Sequence, residues 1–330
     1  MKIVVAPDKF RGTSSAARAA TVIATAVESL GHEAVPVPLA DGGEGLLEVL
    51  GGANRTTTVT DPLGDPVEAR WRMAGRTAVI EMARASGLAL VGGAEENDPV
   101  AASTYGTGEL VAAALDAGAK RIVVGVGGSA TTDGGLGALR AMMPLQRLRG
   151  VELVVACDVR LGFVDAARVF APQKGASPAQ VELLERRLER LVQVYLDEYG
   201  VDVSDLEGAG AAGGLAGGLA AAGATLLDGF DLVAEHLDLD ELVESADVVV
   251  TGEGLMDAES FDGKVVGGVH DLASSLGVPV GAIVGEVLEG TEVPLPTVSL
   301  VEEFGRERAL GETDAALADA VPLLLDRVLG

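Results

Sequence analysis

Residues 121–135 read RIVVGVGGSATTDGG. The first half is a β-branched apolar run of strand length, and the second half is a polar, glycine-rich turn. A continuous apolar run, without strict alternation, suits a strand buried on both faces. The same form recurs at KIVVAP (2–7), EAVPVPLA (33–40), VELVVAC (151–157), ADVVVTG (246–252) and VPVGAIVG (278–285). Ala-rich stretches of helical character separate them, from about Ser14 to Leu30 and from about Gly108 to Ala117. Strands that alternate with helices pair in parallel through right-handed crossovers. The expected fold class is therefore α/β, with largely parallel sheets flanked by helices and some doubly wound character.

Two stretches depart from this pattern. Residues 57–82 read as antiparallel strands around a Pro/Gly-rich turn at Asp61 to Pro66. Residues 177–199 form a strongly amphipathic helix, with Ser177 as N-cap and Pro178 after it. The low-complexity segment GAGAAGGLAGGLAAAG (208–223) is apolar enough to be a close-packed helix entry and not a flexible linker.

Composition sets further bounds. At about 150 residues per domain, 330 residues make two domains or one large one. A chain of that length buries a sizeable core without a metal or disulfide staple. Cys157 is the single cysteine, so an internal disulfide framework is excluded and a reducing compartment fits. The opening MKIVVAPDKF is too short in its apolar part for a signal peptide. No apolar run approaches the ~18–20 residues of a membrane span, and a cytoplasmic protein is expected. Lys plus Arg number 24 against 50 Asp plus Glu, a net charge of −26. Such a surface repels nucleic acid and anionic lipid. An anionic substrate would need a local cationic pocket, so the five lysines, Lys2, Lys9, Lys120, Lys174 and Lys264, carry information.

Ligands of open α/β sheets bind at the carboxyl ends of the strands. Those ends carry a recurring chemistry here. They run into Asp8-Lys9, into Asp41-Gly42-Gly43-Glu44, into Gly127 to Gly135, into Asp158, and into Glu253 followed by Asp257 and Lys264. Each acid alone reads as a turn residue or helix cap; five together point to a site. Carboxylates hold Mg²⁺, lysines neutralise phosphate, and glycine-rich turns bring backbone N–H groups to it. Lys9, Lys174 and Lys264 all sit in glycine-containing turns, DKFRG, APQKG and FDGK. The combination suggests phosphoryl transfer.

Other chemistries find less support. The G-x-x-x-x-G-K-[ST] loop is absent; Gly263-Lys264-Val265 lacks the hydroxyl that would hold Mg²⁺. Gly125, Gly127 and Ala130 match a dinucleotide fingerprint, but Thr-Thr-Asp-Gly-Gly follows in place of an immediate helix. An NAD-dependent oxidoreductase rests on that one match. His32, His236 and His270 are scattered without zinc spacing. Cys157 ends a strand and reads as a buried core thiol.

These turns resemble, in order, the motifs of the type I glycerate kinase family. APDKFRGT, PLADGGEG, DPLGDPVEARW, AVIEMARASGL, TYGTGEL, GVGGSATTDGG, VACDV, FAPQKGA, GAGAAGGL and TGEGLMDAES span nearly the whole chain. The resemblance implies ATP-dependent phosphorylation of D-glycerate to 2-phosphoglycerate with Mg²⁺. It also implies two lobes with the active site in the cleft between them. The first domain would be discontinuous, residues 1–60 plus 285–330. Residues 61–284 would form an inserted domain that carries the glycine-rich motifs.

Under that resemblance, Asp8, Lys9, Asp158, Lys174 and Lys264 are the catalytic candidates. Lys9 or Arg11 would take the substrate carboxylate, with Asp41, Gly42, Gly43, Glu44 and Tyr105 lining the substrate site. Thr107, Gly127, Gly128, Ser129, Thr131 and Asp133 would contact the nucleotide. Asp158, Glu253 and Asp133 are the metal candidates, with Asp8, Asp158 and Glu253 open as the base and Asp158 preferred. For Asp133 and Thr107, helix capping is the competing role.

The chain also departs from the family pattern. The segment between Ala138 and Val151 is much shorter than its family equivalent. Arg160-Leu161-Gly162 replaces an Asn-Pro-Leu-like segment, and Arg11 stands where Lys is common. Leu255-Met256-Asp257-Ala258-Glu259 stands in place of Arg-Leu-Asp-x-Gln. The loss of that Arg removes a bidentate anion donor, and Glu259 adds a negative charge. These changes keep a different small hydroxy acid open as substrate, and a non-catalytic paralogue as a further alternative. Whether the chain forms a homodimer is left open.

Overall fold

A computed structural model describes residues 1–10 and 12–330. The chain divides into two units: Met1–Asp41 with Gly229–Gly330, and Gly42–Asp228. The first unit opens with β1 (Lys2–Pro7), α1 (Ala16–Ser29) and β2 (Glu33–Pro36). The second runs α2 (Leu46–Val49), β3 (Arg55–Thr60), β4 (Pro66–Ala74), β5 (Thr77–Glu81), α3 (Ala83–Ser86), α4 (Tyr105–Asp116) and β6 (Arg121–Gly125). It continues with α5 (Leu136–Ala141), β7 (Glu152–Cys157), α6 (Asp165–Phe170), α7 (Pro178–Tyr199), α8 (Ala211–Ala221) and β8 (Thr225–Asp228). The chain returns to the first unit with α9 (Gly229–His236), α10 (Leu239–Glu244), β9 (Val248–Met256), α11 (Val265–Leu276) and β10 (Val280–Val287). It closes with β11 (Thr297–Ser299), α12 (Leu300–Phe304), α13 (Arg306–Gly311) and α14 (Thr313–Leu329).

The first unit holds a five-stranded sheet in the order β11-β10-β9-β1-β2, parallel throughout. In β1, Ile3 and Val5 join a core with Ile23 and Val27 of α1 and Leu317, Val321 and Leu324 of α14. Val4 and Ala6, on the opposite face, are equally buried. Burial on both faces is what the unbroken apolar run requires. Apolar side chains recur at Ala19, Ala20, Ile23, Ala24 and Val27 of α1, the stripe of an amphipathic helix. Ser15 accepts a hydrogen bond from the Arg18 N–H at its start. The expected strand 33–40 pairs as a strand only to Pro36. Beyond it, Val37 and Leu39 still donate to the carbonyls of Val5 and Pro7. Pro36 and Pro38 have no N–H to give, which confines this segment to the sheet edge.

The second unit holds six strands in the order β3-β4-β5-β6-β7-β8. β3, β4 and β5 pair antiparallel, and β5 to β8 pair in parallel. This is the antiparallel stretch read at 57–82, joined to the parallel strands through β5. α7 begins with a Ser177–Gln180 capping box and Pro178, and ends at Gly200 in left-handed conformation. The low-complexity segment becomes α8, entered through left-handed residues Ala212, Gly213 and Gly214. A Cβ on Gly213 would sit 1.9 Å from the Thr131 carbonyl oxygen, so the entry is indeed close-packed.

The unit boundaries fall at 41/42 and 228/229, away from the expected 60 and 285. The reason is strand pairing. β9 lies between β1 and β10, which ties residues 229–284 to the N-terminal strands. β3 pairs with β4, which ties residues 42–60 to the second unit.

Candidate active site

In the first unit β1 ends beside the middle of β9, with Pro7 in register with Gly252, and β9 runs on past Glu253 to Met256. Asp8 and Glu253 are therefore neighbours, each less than a tenth exposed. The Asp8 Oδ1 accepts the Lys9 N–H at 2.7 Å. Lys9 Nζ lies 3.5 Å from Asp8 Oδ2 and 3.4 Å from Asp41 Oδ1. Burial pushes the Asp8 carboxyl up to about 6; the charge of Lys9 opposes this and that of Asp41 adds to it. Burial likewise pushes Glu253 up to about 7, against a hydrogen bond from Ser260 and with a contribution from Asp8. Glu253 Oε1 is buried without a hydrogen-bond partner. Lys264 precedes α11 and reaches Glu259 Oε2 at 3.1 Å. Asp257 is engaged locally, accepting the N–H groups of Glu259 and Ser260.

The second unit gathers the other candidates around the turn after β6. Lys174 is 4% exposed. Its ammonium donates to Ser129 Oγ at 2.9 Å and to the Thr131 carbonyl at 2.7 Å. Burial lowers its pKa to about 7, against the charge of Asp133. Asn97 fixes the same turn by donating to the carbonyls of Ala130 and Lys174. Ser86 Oγ and Thr107 Oγ1 are hydrogen-bonded at 2.7 Å, both fully buried. Thr107 thus lies inside α4, and its side chain faces Ser86 instead of capping the helix.

Asp133 resolves toward its capping role. Its carboxylate accepts from the Thr104 N–H and hydroxyl and from the N–H groups of Gly135 and Gly137. With the Ser103 hydroxyl at 3.4 Å, five donors occupy the oxygens a metal would need. Asp158 follows β7 and is half-buried. Burial pushes the neighbouring Cys157 thiol up to about 11, with Asp158 and Asp228 adding to the shift. Tyr105 is exposed at the start of α4. Arg11 lies outside the described residues.

Gly42, Gly43 and Glu44 belong with the glycine-rich turn. A Cβ on Gly125 would lie 2.6 Å from the Gly42 carbonyl oxygen, and one on Gly127 would lie 2.9 Å from Gly43 Cα. Only glycine allows this approach. The residue that holds the segment was missed in the sequence. Glu81, buried at the end of β5, accepts the N–H groups of Gly45 and Leu47 at 3.0 and 2.9 Å and pairs with Arg84. Its signal was available: an acid that ends an apolar strand, TAVIE.

Two separate groupings thus emerge, a carboxylate-lysine cluster in one unit and a buried lysine under a glycine-rich turn in the other. The profile of the glycerate kinase family matches residues 3–144 and 143–327. The chain belongs to the glycerate kinase family. It is 39% identical to the Glycerate 2-kinase of Escherichia coli K12 over 333 aligned residues, covering 89% of this chain and 87% of that one. It is 40% identical to the Glycerate kinase of Bacillus subtilis 168, covering 87% and 85%. The crystal structure of a candidate glycerate kinase 2 from Salmonella typhimurium LT2 superposes with a TM-score of 0.83 at 35% identity, covering 99% and 98% of the two chains. This glycerate kinase is a phosphotransferase with an alcohol group as acceptor. Among its described residues no helix is long and apolar enough to cross a membrane, and no group of three or more His, Cys, Asp or Glu is placed to hold a metal.

Proposed function

We propose that the chain transfers the γ-phosphoryl group of ATP to the 2-hydroxyl of D-glycerate, giving 2-phosphoglycerate, with Mg²⁺ as cofactor. The observation that carries this reading is Lys174, a cation buried directly beneath the Ser129–Thr131 turn. An otherwise costly buried lysine is expected where charge develops in a transition state. The 39% identity to a protein named Glycerate 2-kinase supports the position of the new phosphate.

The roles divide by chemistry. Backbone N–H groups of Gly127 and Gly128 and the hydroxyls of Ser129 and Thr131 receive the phosphates. Lys174 stabilises the charge of the transferring group, and Lys264 is the alternative candidate for that role. Lys9 takes the substrate carboxylate. Asp8, beside Lys9 and with its pKa raised to about 6, accepts the proton of the 2-hydroxyl. Glu253 suits Mg²⁺, because it is a hard oxygen donor with one buried oxygen unpartnered. Asp158 stays a separate metal candidate in the second unit; Asp133, already saturated, does not fit. When bound, Mg²⁺ supplies charge neutralisation on the phosphates.

The sequence alone favoured Asp158 as the base. Single-turnover rates of Asp8→Asn and Asp158→Asn decide between them: the larger loss, expected as 10²-fold or more, belongs to Asp8. A larger loss in Asp158→Asn would return the role to Asp158. A second reading, another small hydroxy acid as substrate, is favoured by Leu255 and Glu259, both exposed beside Asp257. A panel of 2-hydroxy acids with equal ATP tests it.

A further inference from the structure

The second unit contains a cavity of about 530 Å³ between α5 and α7, lined by none of the groups given a part in the proposed reaction. Small-molecule sites typically span about 300–1,000 Å³. Its walls are apolar, formed by Leu136, Leu139, Leu191 and Val194. Arg140, Arg187 and Arg190 stand at its margin. Asp133 and Glu198 also line it, but Asp133 is spent on five donors and Glu198 takes the Tyr199 hydrogen bond. The cavity is thus lined by one more positive than negative group, in a chain of net charge −26.

Two observations mark it as a ligand site and not a packing defect. Thr132 lines the cavity, is 1% exposed, and its Oγ1 has no hydrogen-bond partner. A buried hydroxyl without a partner costs free energy unless a ligand or water satisfies it. The arginines, all exposed, also lack a carboxylate partner among the described residues. Arg187 donates only to the Val100 carbonyl, and Arg140 and Arg190 make no ion pair among the described residues. Arg187 and Arg190 stand three apart on α7, with Leu183, Leu184, Arg186, Leu191, Gln193 and Val194 at the other neighbouring positions. Like charges at that spacing repel, and an anion between them would remove the repulsion. The apolar walls require that anion to carry an apolar body.

We propose that the α5–α7 cavity is a binding site for a small organic anion with an aromatic or aliphatic body. Arg187 and Arg190 meet its charge, Leu136 and Val194 meet its body, and Thr132 Oγ1 supplies a hydrogen bond. The neighbouring Thr131 carbonyl holds Lys174, so a ligand here would touch the turn that supports the reaction.

The test is calorimetric and fluorescence titration of the full chain with 8-anilinonaphthalene-1-sulfonate, an aromatic anion. The expected result is one saturable site that survives saturating ATP. Its Kd rises at least tenfold in Arg187→Ala/Arg190→Ala, while turnover of that variant stays within twofold of the parent. Thr132→Val is expected to weaken the probe several-fold without lowering Tm, because the hydroxyl it removes bonds nothing in the fold. Absence of a saturable site, affinity unchanged in the double variant, or complete displacement by ATP would each overturn the proposal.

Discussion

Lys174 is the residue on which most of the proposed chemistry turns. Its pKa, lowered by burial to about 7, makes the free protein sensitive to pH near neutrality. Below pH 7 the ammonium is charged and can meet a phosphate; above it, the group is neutral. kcat/KM for ATP is therefore expected to fall as pH rises through about 7. Lys174→Arg should move that limb above pH 9, since a guanidinium stays charged, and Lys174→Met should lower kcat by about 10²–10³-fold. An alkaline limb left in place by Lys174→Arg would assign it to another group. Glu259 works in the opposite direction at Lys264, which it meets at 3.1 Å. Glu259→Gln, by removing a negative charge from that lysine, is expected to lower KM for the anionic substrate several-fold. An unchanged KM would mean that the pair is only a solvated surface contact.

At the scale of elements, the glycine-rich turn is held in place by structure that does no chemistry itself. Glu81 anchors Gly45 and Leu47, and α8 enters against the Thr131 carbonyl at Gly213. Glu81→Gln keeps the shape but gives up a charged acceptor, and is expected to cost about 1–3 kcal/mol of stability. Gly213→Ala meets both a left-handed φ of 71° and a backbone oxygen, and should destabilise by more than about 2 kcal/mol. Urea unfolding measures both, and a neutral Gly213→Ala would contradict the close approach. The strands β1, β6, β7, β9 and β10 were legible because both faces are buried, which leaves an unbroken apolar run. β8 and β11 were not: with four and three residues they are too short to form a pattern. Glu81 and Asn97 were missed for another reason. The acid that ends TAVIE marked Glu81 as a position to weigh, but the partners of both residues are backbone groups far away in sequence, which only the fold brings together.

At the scale of the molecule, the sequence offers candidate residues but not their arrangement. Strand ends singled out Asp8, Lys9 and Glu253 as candidates, and a glycine-containing turn singled out Lys174. They could not reveal that residues 229–284 return to the first sheet through β9, because the pairing partner of a parallel strand leaves no local mark. That return places Glu253 beside Asp8 and gives the first unit a pH dependence. Glu253 titrates at about 7 against an ordinary 4.5. Between those values the folded chain keeps a proton that the unfolded chain releases. Stability from this group is therefore full below pH 4.5 and is lost as pH rises through 7. In metal-free buffer, Glu253→Gln should gain stability relative to the parent at pH 8 compared with pH 5. A difference constant between the two pH values would contradict the shift.

The most direct measurement is ATP-to-ADP turnover with Mg²⁺ and D-glycerate, followed by identification of the product by phosphorus NMR. The account predicts a single new phosphomonoester, 2-phosphoglycerate, formed in step with ADP. Formation of 3-phosphoglycerate, or no turnover by folded protein that binds ATP, would contradict it.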